Sequence, residues 1–284
     1  MHDDARGREA AFPRHNERDA RRVPEQHQDP NGIPHVDHRK TVVIELEKNV
    51  IPVVWVTGAT RGIGLAAANA FAAIGCRVVL SGRSRQQLEI NAGRIIDQGG
   101  FALPIVCDVT SETSVRGAHA NIVKKAGEVD VLVNNAGVTV FETFEKSTLK
   151  DFDAIVDTNL RGYFLCTKAV LTSMLKRRKG HIINIHSVAA RDTFYNSSVY
   201  SAAKAGALAM SRCLRHEVRK KGVRVVDVLP GAVETDMWSR SARKKYHQKM
   251  MQPEDVADAV VSVYCQPQRM TTDEIVLRPV EGDL

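Results

Sequence analysis

From residue 53 onward, short runs of Val, Ile and Leu alternate with longer segments that repeat their apolar residues at helical spacing. Several of the short runs are apolar at nearly every position, which is typical of strands with both faces covered. Strands that alternate with helices predict parallel pairing, with helices packed on both sides of the sheet. The pattern therefore predicts an α/β fold built on a doubly wound, seven-stranded parallel sheet.

The boundaries of the elements follow from the same pattern. The predicted strands are Val53–Thr57, Arg77–Ser81, Ala102–Cys107, Asp130–Asn134, His181–His186, Val223–Leu229 and Glu274–Arg278. The predicted helices are Gly62–Gly75, Ser84–Gln98, Glu112–Gly127, Lys150–Lys179, Ser198–Lys221 and Pro253–Gln266. We find no second core, no long linker and no repeat beyond the strand-helix unit, so residues 50–284 are predicted to form a single domain.

Residues 1–40 differ from the rest in composition. They are rich in Arg, Asp, His, Pro and Gln and contain almost no large apolar side chains. Such a segment cannot bury enough surface to offset its ordering entropy, so we predict a disordered leader. It holds eight acids and eight Lys or Arg residues, so the chain's net charge of +7 resides in residues 41–284.

The composition also limits the partners of the chain. A basic surface favours anionic ligands such as phosphates, but aromatic residues are only 5% and do not interleave with Lys and Arg, so nucleic-acid binding is not predicted. No apolar run reaches the roughly 18–20 residues of a membrane helix, and no signal peptide is found, so we predict a cytoplasmic protein without a membrane partner. Five widely spaced cysteines predict buried free thiols rather than disulfides or a metal site.

A glycine-rich loop follows the first predicted strand, with the sequence Thr57-Gly58-Ala59-Thr60-Arg61-Gly62-Ile63-Gly64, and a helix begins directly after it. Glycines let the backbone turn tightly and approach a diphosphate, which binds at the free N–H groups of a helix N-terminus. A plain tight turn would also use glycine, but the position between a strand and a helix favours dinucleotide binding.

The end of the second predicted strand indicates which dinucleotide binds. An acidic residue there would hold the ribose hydroxyls of NAD, but the chain reads Ser81-Gly82-Arg83-Ser84-Arg85 and its next acid is Glu89. Arg83 can pair with a 2′-phosphate, and Arg61 in the glycine-rich loop adds a second cation. We therefore predict NADP(H), with two solvated arginines as the alternative.

Tyr200 and Lys204 lie four residues apart in a predicted helix and so share one face of it. A nearby ammonium stabilises a phenolate and lowers the pKa of the tyrosine, which then serves as a general acid or base. Ser187 follows the predicted strand His181–His186, and strand carboxyl ends face the ligand crevice in this topology. Together these residues predict proton transfer to or from an alcohol or carbonyl.

With these motifs in place, the chain resembles the short-chain dehydrogenase/reductase family over about residues 53–279. The motifs that carry the resemblance are Thr57-Gly58-x-x-x-Gly62-x-Gly64, Cys107-Asp108-Val109, Asn134-Asn135-Ala136-Gly137, Asn159, Ser187, Tyr200-x-x-x-Lys204 and Pro230-Gly231. They stand in family order and at family spacing. The resemblance implies a Rossmann-like fold and an oxidoreductase, most often a tetramer whose interface includes the helices predicted over 150–179 and 198–221; a homodimer is the alternative.

The resemblance also implies a role for each site residue. The implied catalytic residues are Asn159, Ser187, Tyr200 and Lys204. Asn159 would hold a relay water and Ser187 would orient the substrate oxygen. Tyr200 would pass the proton, and Lys204 would bind the ribose and lower the pKa of the tyrosine. The implied cofactor-binding residues are Gly58, Thr60, Arg61, Gly62, Ile63, Gly64, Arg83, Asp108, Val109, Asn135, Ala136, Gly137, Tyr200, Lys204, Pro230, Gly231, Val233 and Thr235. His186 stands where family members usually have a small residue, and strand alternation predicts that it packs away from the crevice.

These observations predict an NADP(H)-dependent oxidoreductase that transfers a hydride between nicotinamide and a carbonyl or secondary alcohol of a small substrate. Specificity is expected in residues 188–199 and in a segment over residues 234–252, which we call the lid and which carries several bases over 240–249. Those bases would face solvent, a carboxylate or an acidic carrier protein. The alternatives are a 3-oxoacyl-carrier-protein reductase, a non-catalytic dinucleotide sensor, and an epimerase or dehydratase on the same fold.

Overall fold

The connections between strands determine their order in the sheet. In the computed structural model, which describes residues 51–282, seven parallel strands form one sheet. The strands are β1 (Val53–Thr57), β2 (Arg77–Gly82), β3 (Phe101–Val106), β4 (Val131–Asn134), β5 (Gly180–Ile185), β6 (Val223–Pro230) and β7 (Glu274–Leu277). Their order across the sheet is β3-β2-β1-β4-β5-β6-β7. The predicted doubly wound, Rossmann-like α/β sheet is confirmed, and the winding reverses between β1 and β4.

Helices fill the connections between the strands. Within residues 51–282 the α-helices are α1 (Gly62–Ala73), α2 (Arg85–Asp97), α3 (Glu112–Ala126), α4 (Leu149–Val156), α5 (Gly162–Arg177), α6 (Ser198–Val218), α7 (Arg240–Tyr246) and α8 (Pro253–Tyr264). The single helix predicted over 150–179 is wrong, because a π-helical turn, Asp157–Arg161, separates α4 from α5. The lid contains α7, which the apolar pattern did not predict because α7 buries none of its residues.

Both faces of the sheet are covered, as the apolar runs predict. Val54 and Val56 of β1 belong to a core shared with α1, α2 and α8, whereas Val53 and Trp55 belong to one shared with α3 and α5. Every residue of β1 is buried, and the indole Nε1 of Trp55 donates to Ser81 Oγ at 2.8 Å. Alternate side chains of one strand thus stabilise opposite layers of helices.

Two of the five cysteines are not buried. Cys76, Cys107 and Cys166 are buried free thiols, but Cys213 is exposed on α6 and Cys265 is half-buried, so the prediction of five buried thiols is wrong for these two. The predicted leader, residues 1–40, lies outside the described residues. Among the residues that are described, no helix has the length and apolarity needed to cross a membrane.

Candidate active site

The glycine-rich loop, residues 57–64, needs glycine at three positions for separate reasons. Gly58 and Gly62 have φ of +66° and +57°, which L-amino acids with a side chain rarely adopt. A Cβ on Gly58 would also lie 2.8 Å from Ala136 Cα, and one on Gly64 would lie 2.4 Å from Asn135 Nδ2. The loop therefore packs so closely on the segment after β4 that Gly58 and Gly64 have no room for a side chain.

Side chains from neighbouring elements hold this loop. Thr57 Oγ1 accepts from the backbone N–H groups of Asn135 and Ala136, at 3.0 and 3.1 Å. Asn135 Nδ2 donates back to the carbonyls of Thr57 and Gly58. From α2, Asn91 Nδ2 donates to the carbonyl of Thr60 at 2.9 Å. The segment after β4 and the glycine-rich loop are thus one rigid, hydrogen-bonded unit.

The N-terminus of α1 fits a dinucleotide diphosphate. No side chain caps this helix at Arg61, and its first turn holds no acidic residue. By contrast, the side chains of Ser84, Ser111 and Thr148 cap α2, α3 and α4. The first N–H groups of an α-helix have no partner within the helix, and together with the helix dipole they attract anions. The predicted loop residues Thr60, Ile63 and Gly64 lie at or next to this uncapped end.

The predicted selectors of the 2′-phosphate lie beside that loop. Arg83 is exposed directly after β2, and Gly82 adjoins the glycine-rich loop, since a Cβ there would lie 3.0 Å from Thr60 Cγ2. Arg61 is also exposed, but its guanidinium lies 3.5 Å from the Asp236 carboxylate in the lid. Part of the charge of Arg61 is therefore neutralised, whereas Arg83 forms no ion pair within the described residues.

Asp108 and the lid complete the predicted cofactor cleft. Asp108 follows β3 and accepts from the N–H and hydroxyl of Thr110 through Oδ1, so the turn does not use its second oxygen. Val109 beside it is buried. Pro230 ends β6, and Val233 forms an isolated bridge with Met251 across the lid. Thr235 approaches the glycine-rich loop, because a Cβ on Gly62 would lie 3.2 Å from its Cγ2.

The four predicted catalytic residues converge at the carboxyl ends of β4 and β5. Tyr200 and Lys204 are 7% and 2% exposed on α6, and Asn159 in the π-helical turn is fully buried. Gly137 connects two of them, since a Cβ there would lie 2.8 Å from Asn159 Oδ1 and 3.8 Å from Lys204 Nζ. Ser187 follows β5 and begins a short 3-10 turn, with its Oγ accepting from Ala189 N–H at 3.1 Å.

Burial changes the acid-base behaviour of this pair. It raises the pKa of Tyr200 to about 12, although a hydrogen bond to Ser187 lowers it in part. Burial lowers the pKa of Lys204 to about 7. Both shifts disfavour the charged forms, so each group gains from any neighbour that stabilises its charge. Burial by itself therefore favours the neutral phenol and the neutral amine.

The side chain of Asn159 forms hydrogen bonds with nearby backbone groups. Its Oδ1 accepts from Val138 N–H at 3.2 Å, and its Nδ2 donates to the carbonyls of Val138 and Ile155 at 2.7 and 3.0 Å. The amide thereby joins the segment after β4 to the end of α4. Single π-helical turns such as the one that holds Asn159 are frequent at functional sites.

The sequence did not single out Phe141 and Glu142, which lie in the loop after β4 and contact the two predicted specificity segments. The ring of Phe141 stacks on that of Trp238 in the lid, with centroids 5.6 Å apart, and Glu142 N–H donates to Asn196 O at 3.0 Å. The loop after β4 thus contacts both the segment after β5 and the lid. The loop after β4 was missed because its only signal is a pair of isolated phenylalanines, Phe141 and Phe144.

Behind the catalytic residues lies a buried polar cluster, the largest feature that sequence reasoning missed. Tyr163 Oη accepts from Lys204 Nζ at 3.1 Å. His186 is buried, as strand alternation predicts, and its Nε2 lies 2.8 Å from Asp227 Oδ1. Asp227 also contacts Ser211 Oγ at 2.5 Å and the guanidinium of Arg215.

The charge state of this cluster follows from its contacts. Burial lowers the pKa of His186, and although Asp227 opposes the shift, the ring stays neutral and donates through Nε2. Burial alone would raise the pKa of Asp227, but hydrogen bonds from His186, Ser211 and Asn184 outweigh it and lower that pKa. A buried carboxylate thus lies behind the site, with Arg215 as its counter-ion. No cluster of metal-ligating side chains occurs in the part of the chain that the structure describes.

Known proteins are similar to this chain in sequence. The sequence model of the short chain dehydrogenase family matches residues 52–246. The chain is 39% identical to a sepiapterin reductase of Chlorobaculum tepidum over 236 residues, which cover 81% of this chain and 96% of the relative. It is also 39% identical to a 3-oxoacyl-[acyl-carrier-protein] reductase of Synechocystis, over 72% of this chain and 85% of that relative.

A solved structure shows the same likeness in three dimensions. A tryptophan variant of actinorhodin polyketide ketoreductase, solved with NADPH, superposes with a TM-score of 0.76 at 31% sequence identity. The match covers 82% of this chain and 98% of the ketoreductase chain.

Proposed function

The chain belongs to the short-chain dehydrogenase/reductase family, and on that premise we propose that it is an NADP(H)-dependent oxidoreductase that interconverts a carbonyl and a secondary alcohol of a small substrate. One observation carries the proposal. The uncapped, glycine-lined N-terminus of α1 and the Ser187, Tyr200 and Lys204 side chains lie at the same edge of the sheet. A sensor or a purely structural protein has no need for a proton-transfer group beside a dinucleotide cleft.

In this proposal the bound nicotinamide supplies or accepts the hydride, and the chain supplies the rest of the chemistry. Ser187 donates a hydrogen bond to the substrate oxygen and orients it. Tyr200 gives that oxygen a proton during reduction and takes one during oxidation. Lys204 holds the ribose hydroxyls, and its ammonium stabilises the Tyr200 phenolate left after proton donation, which counteracts the upward shift that burial imposes on the tyrosine pKa.

Asn159 would complete the path for the proton. We propose that its backbone, in the π-helical turn, holds a water that connects Lys204 to solvent. Its side chain supports this role because it holds both backbone groups of Val138 and so keeps the turn and the catalytic segment in one register. The glycine-rich loop would bind the diphosphate, Asp108 the adenine, and Val233 and Thr235 the carboxamide.

The preference for NADP(H) rests on the segment that follows β2. Arg83 is exposed there, and the first acid that follows is Glu89, which α2 places one turn away and which lies 3.7 Å from Arg85. A carboxylate that bound the ribose hydroxyls of NAD would repel a 2′-phosphate, and none stands at this position. Actinorhodin ketoreductase, which is similar in fold, was solved with NADPH.

A 3-oxoacyl-carrier-protein reductase is the second candidate, and one observation favours it. Helix α7 of the lid carries Arg240, Arg243, Lys244 and Lys245 beside the cleft mouth. Arg243 pairs with Asp236 at 2.8 Å, but the other three have no ion pair among the described residues, so they are available to an acidic carrier protein. Reduction of a 3-oxoacyl carrier-protein substrate much faster than its pantetheine analogue would support this candidate.

The proposal is tested with a panel of ketones, aldehydes and 3-oxoacyl thioesters, following NADPH oxidation at 340 nm. We expect turnover of at least one of these substrates. Tyr200→Phe should lower kcat by about a hundredfold to ten-thousandfold, which is the usual contribution of a general acid. The dissociation constant for NADPH should change less than threefold. Undiminished turnover in Tyr200→Phe would contradict the assigned role.

We further propose a cytoplasmic homotetramer, with a homodimer as the smaller alternative. The exposed side of α6 presents small residues at helical spacing, Ala202, Ala205 and Ala209, which permit close approach of a second helix. A groove of about 320 Å³ lies along the same surface between α5 and α6. The cytoplasmic location rests on the NADP(H) cofactor, which is intracellular.

A further inference from the structure

Lys204 has an unusual pair of hydrogen-bond acceptors. Its Nζ donates to Tyr163 Oη at 3.1 Å and to the carbonyl of Ile185 at 2.9 Å. Tyr163 Oη in turn donates to the same carbonyl at 2.5 Å. The three groups form a closed triangle at the carboxyl end of β5, in which the phenol both accepts from the ammonium and is itself anchored.

The surroundings leave the phenol of Tyr163 little freedom. Tyr163 is 2% exposed on α5, and its ring packs on that of His186 with centroids 5.9 Å apart. His186 is held by Asp227, which Arg215 and Ser211 hold in turn. A chain of buried contacts therefore runs from β6 through β5 to the hydroxyl that Lys204 contacts.

We infer that Tyr163 is a positioning residue for the proposed oxidoreductase: its hydroxyl holds the ammonium of Lys204 beside Tyr200 and Gly137 and keeps it charged. The inference rests on the proposed function and extends it to a residue outside the four catalytic side chains. Tyr163 would touch neither substrate nor cofactor, and it acts only through Lys204.

The groups around Lys204 determine whether its pKa rises or falls when the Tyr163 hydroxyl is removed. Tyr200 faces Lys204 from the same helix, and Tyr163 faces it from α5. The neutral His186 faces it from the sheet, with the Asp227 carboxylate and Arg215 behind that ring. Burial already lowers the pKa of Lys204 to about 7. Removing an acceptor of its N–H takes away an interaction made by the charged form, so the pKa falls further and the ammonium is lost at a lower pH.

The test is Tyr163→Phe, which removes one oxygen and keeps the ring. A hydrogen bond to a charged group is worth roughly tenfold or more in an equilibrium. We expect kcat/KM for carbonyl reduction to fall about tenfold at pH 8 and less than threefold at pH 6, with the alkaline limb of the profile moved down by about one pH unit. The KM for the carbonyl substrate should change less than kcat.

One further measurement keeps this test separate from the proposed function. Trace acetylation of the cofactor-free protein, read on the peptide that carries Lys204 from pH 5 to 10, reports the pKa of that amine without any turnover. We expect its midpoint to be lower in Tyr163→Phe than in the wild type. If the wild-type protein reduces no carbonyl, the proposed function fails while the acetylation midpoint still tests Tyr163.

Tyr264→Phe is the matched control. Tyr264 also packs its ring on a histidine, His181, but it belongs to the opposite layer of helices, with Phe71. Its variant should keep the wild-type pH profile and acetylation midpoint. Equal midpoints in all three proteins, or a loss of activity in Tyr163→Phe that is uniform with pH and matched by a lower thermal midpoint, would overturn the inference.

Discussion

Arg83 and Arg85 provide a test of cofactor choice at the scale of one side chain. Arg83→Ala should raise the KM for NADPH about tenfold to a hundredfold, because a charge-assisted contact to the 2′-phosphate is lost. Arg85→Ala should change it little, since Arg85 lies on α2 beside Glu89. The measurement is KM for NADPH and NADH in each variant. Equal weakening of both cofactors by Arg83→Ala would refute the assignment.

Arg61 should have a smaller effect than Arg83. Its guanidinium already lies 3.5 Å from Asp236 and is largely exposed, so part of its attraction for a phosphate is offset before the cofactor binds. The sequence predicted the two cations but not this ion pair, because the pair joins the glycine-rich loop to a lid more than 170 residues later in the chain.

His186 makes stability depend on pH. Its pKa is lowered by burial, so between its ordinary value near 6.5 and the folded value the unfolded chain binds more protons than the folded chain. Stability should therefore fall as the pH drops below about 6.5, by at most about 1.4 kcal/mol per pH unit for this one group. Thermal unfolding from pH 8 to 5 measures the slope.

His186→Gln keeps a donor for Asp227 but cannot titrate. Its unfolding midpoint should depend less on pH between 7 and 5 than that of the wild type, even if it is lower throughout. An unchanged slope would show that His186 takes up its proton equally in both states.

At the scale of elements, the glycine-rich loop and helix α3 offer a contrasting pair of glycines. A Cβ on Gly64 would lie 2.4 Å from Asn135 Nδ2 and 2.5 Å from Gly58 O. Gly117, by contrast, is at an exposed position of α3, and a Cβ there would meet nothing within 4 Å. Gly64→Ala should destabilise the protein and weaken NADPH binding. Gly117→Ala should raise stability by about 0.5–1 kcal/mol, because alanine favours the helix.

Denaturant unfolding and NADPH fluorescence titration give both results. If Gly64→Ala bound NADPH as tightly as Gly117→Ala, the close approach of the loop to Asn135 would have no part in cofactor binding.

Periodicity predicts strands and helices here because each buries an apolar face, but it carries no signal for features that depend on backbone hydrogen bonds. The π-helical turn Asp157–Arg161 continues a helical pattern in composition and changes only the pairing of N–H and C=O groups. Tyr163 was missed for a related reason: a tyrosine in an amphipathic helix is ordinary, and its contact with Lys204 depends on the packing of α5 against α6. Helix α7 lacks any buried face to predict it.

At the scale of the whole molecule, a family resemblance pointed to the four candidate catalytic residues and the glycine-rich loop, which the structure brings to one edge of the sheet. It could not locate the polar cluster behind them. Asp227, Arg215 and Ser211 come from β6 and α6, and their pairing with His186 appears only when the layers pack. The four candidate residues stand in motifs that can be read from the sequence, whereas the members of the cluster are brought together by the packing of β5, β6 and α6.

We expect the surface formed by α5 and α6 to be the interface between subunits. Phe164 is 47% exposed on α5, and α6 also carries exposed alanines. Phe164 also lines the groove between the two helices. Other residues that line this groove include Leu171, Met210, Cys213 and Leu214. A second copy would cover this apolar surface by placing its own α6 against the alanines, which lack side chains long enough to keep two helices apart.

Phe164→Asp would place a carboxylate in that contact, where burying an unpaired charge costs several kcal/mol. We therefore expect light scattering at micromolar concentration to show tetramers or dimers of the wild type and a smaller species for Phe164→Asp. Phe144→Asp is the control, because Phe144 is 80% exposed and belongs to the loop after β4 rather than to either helix. A wild type that is monomeric, or a variant with unchanged mass, would exclude this surface as the interface.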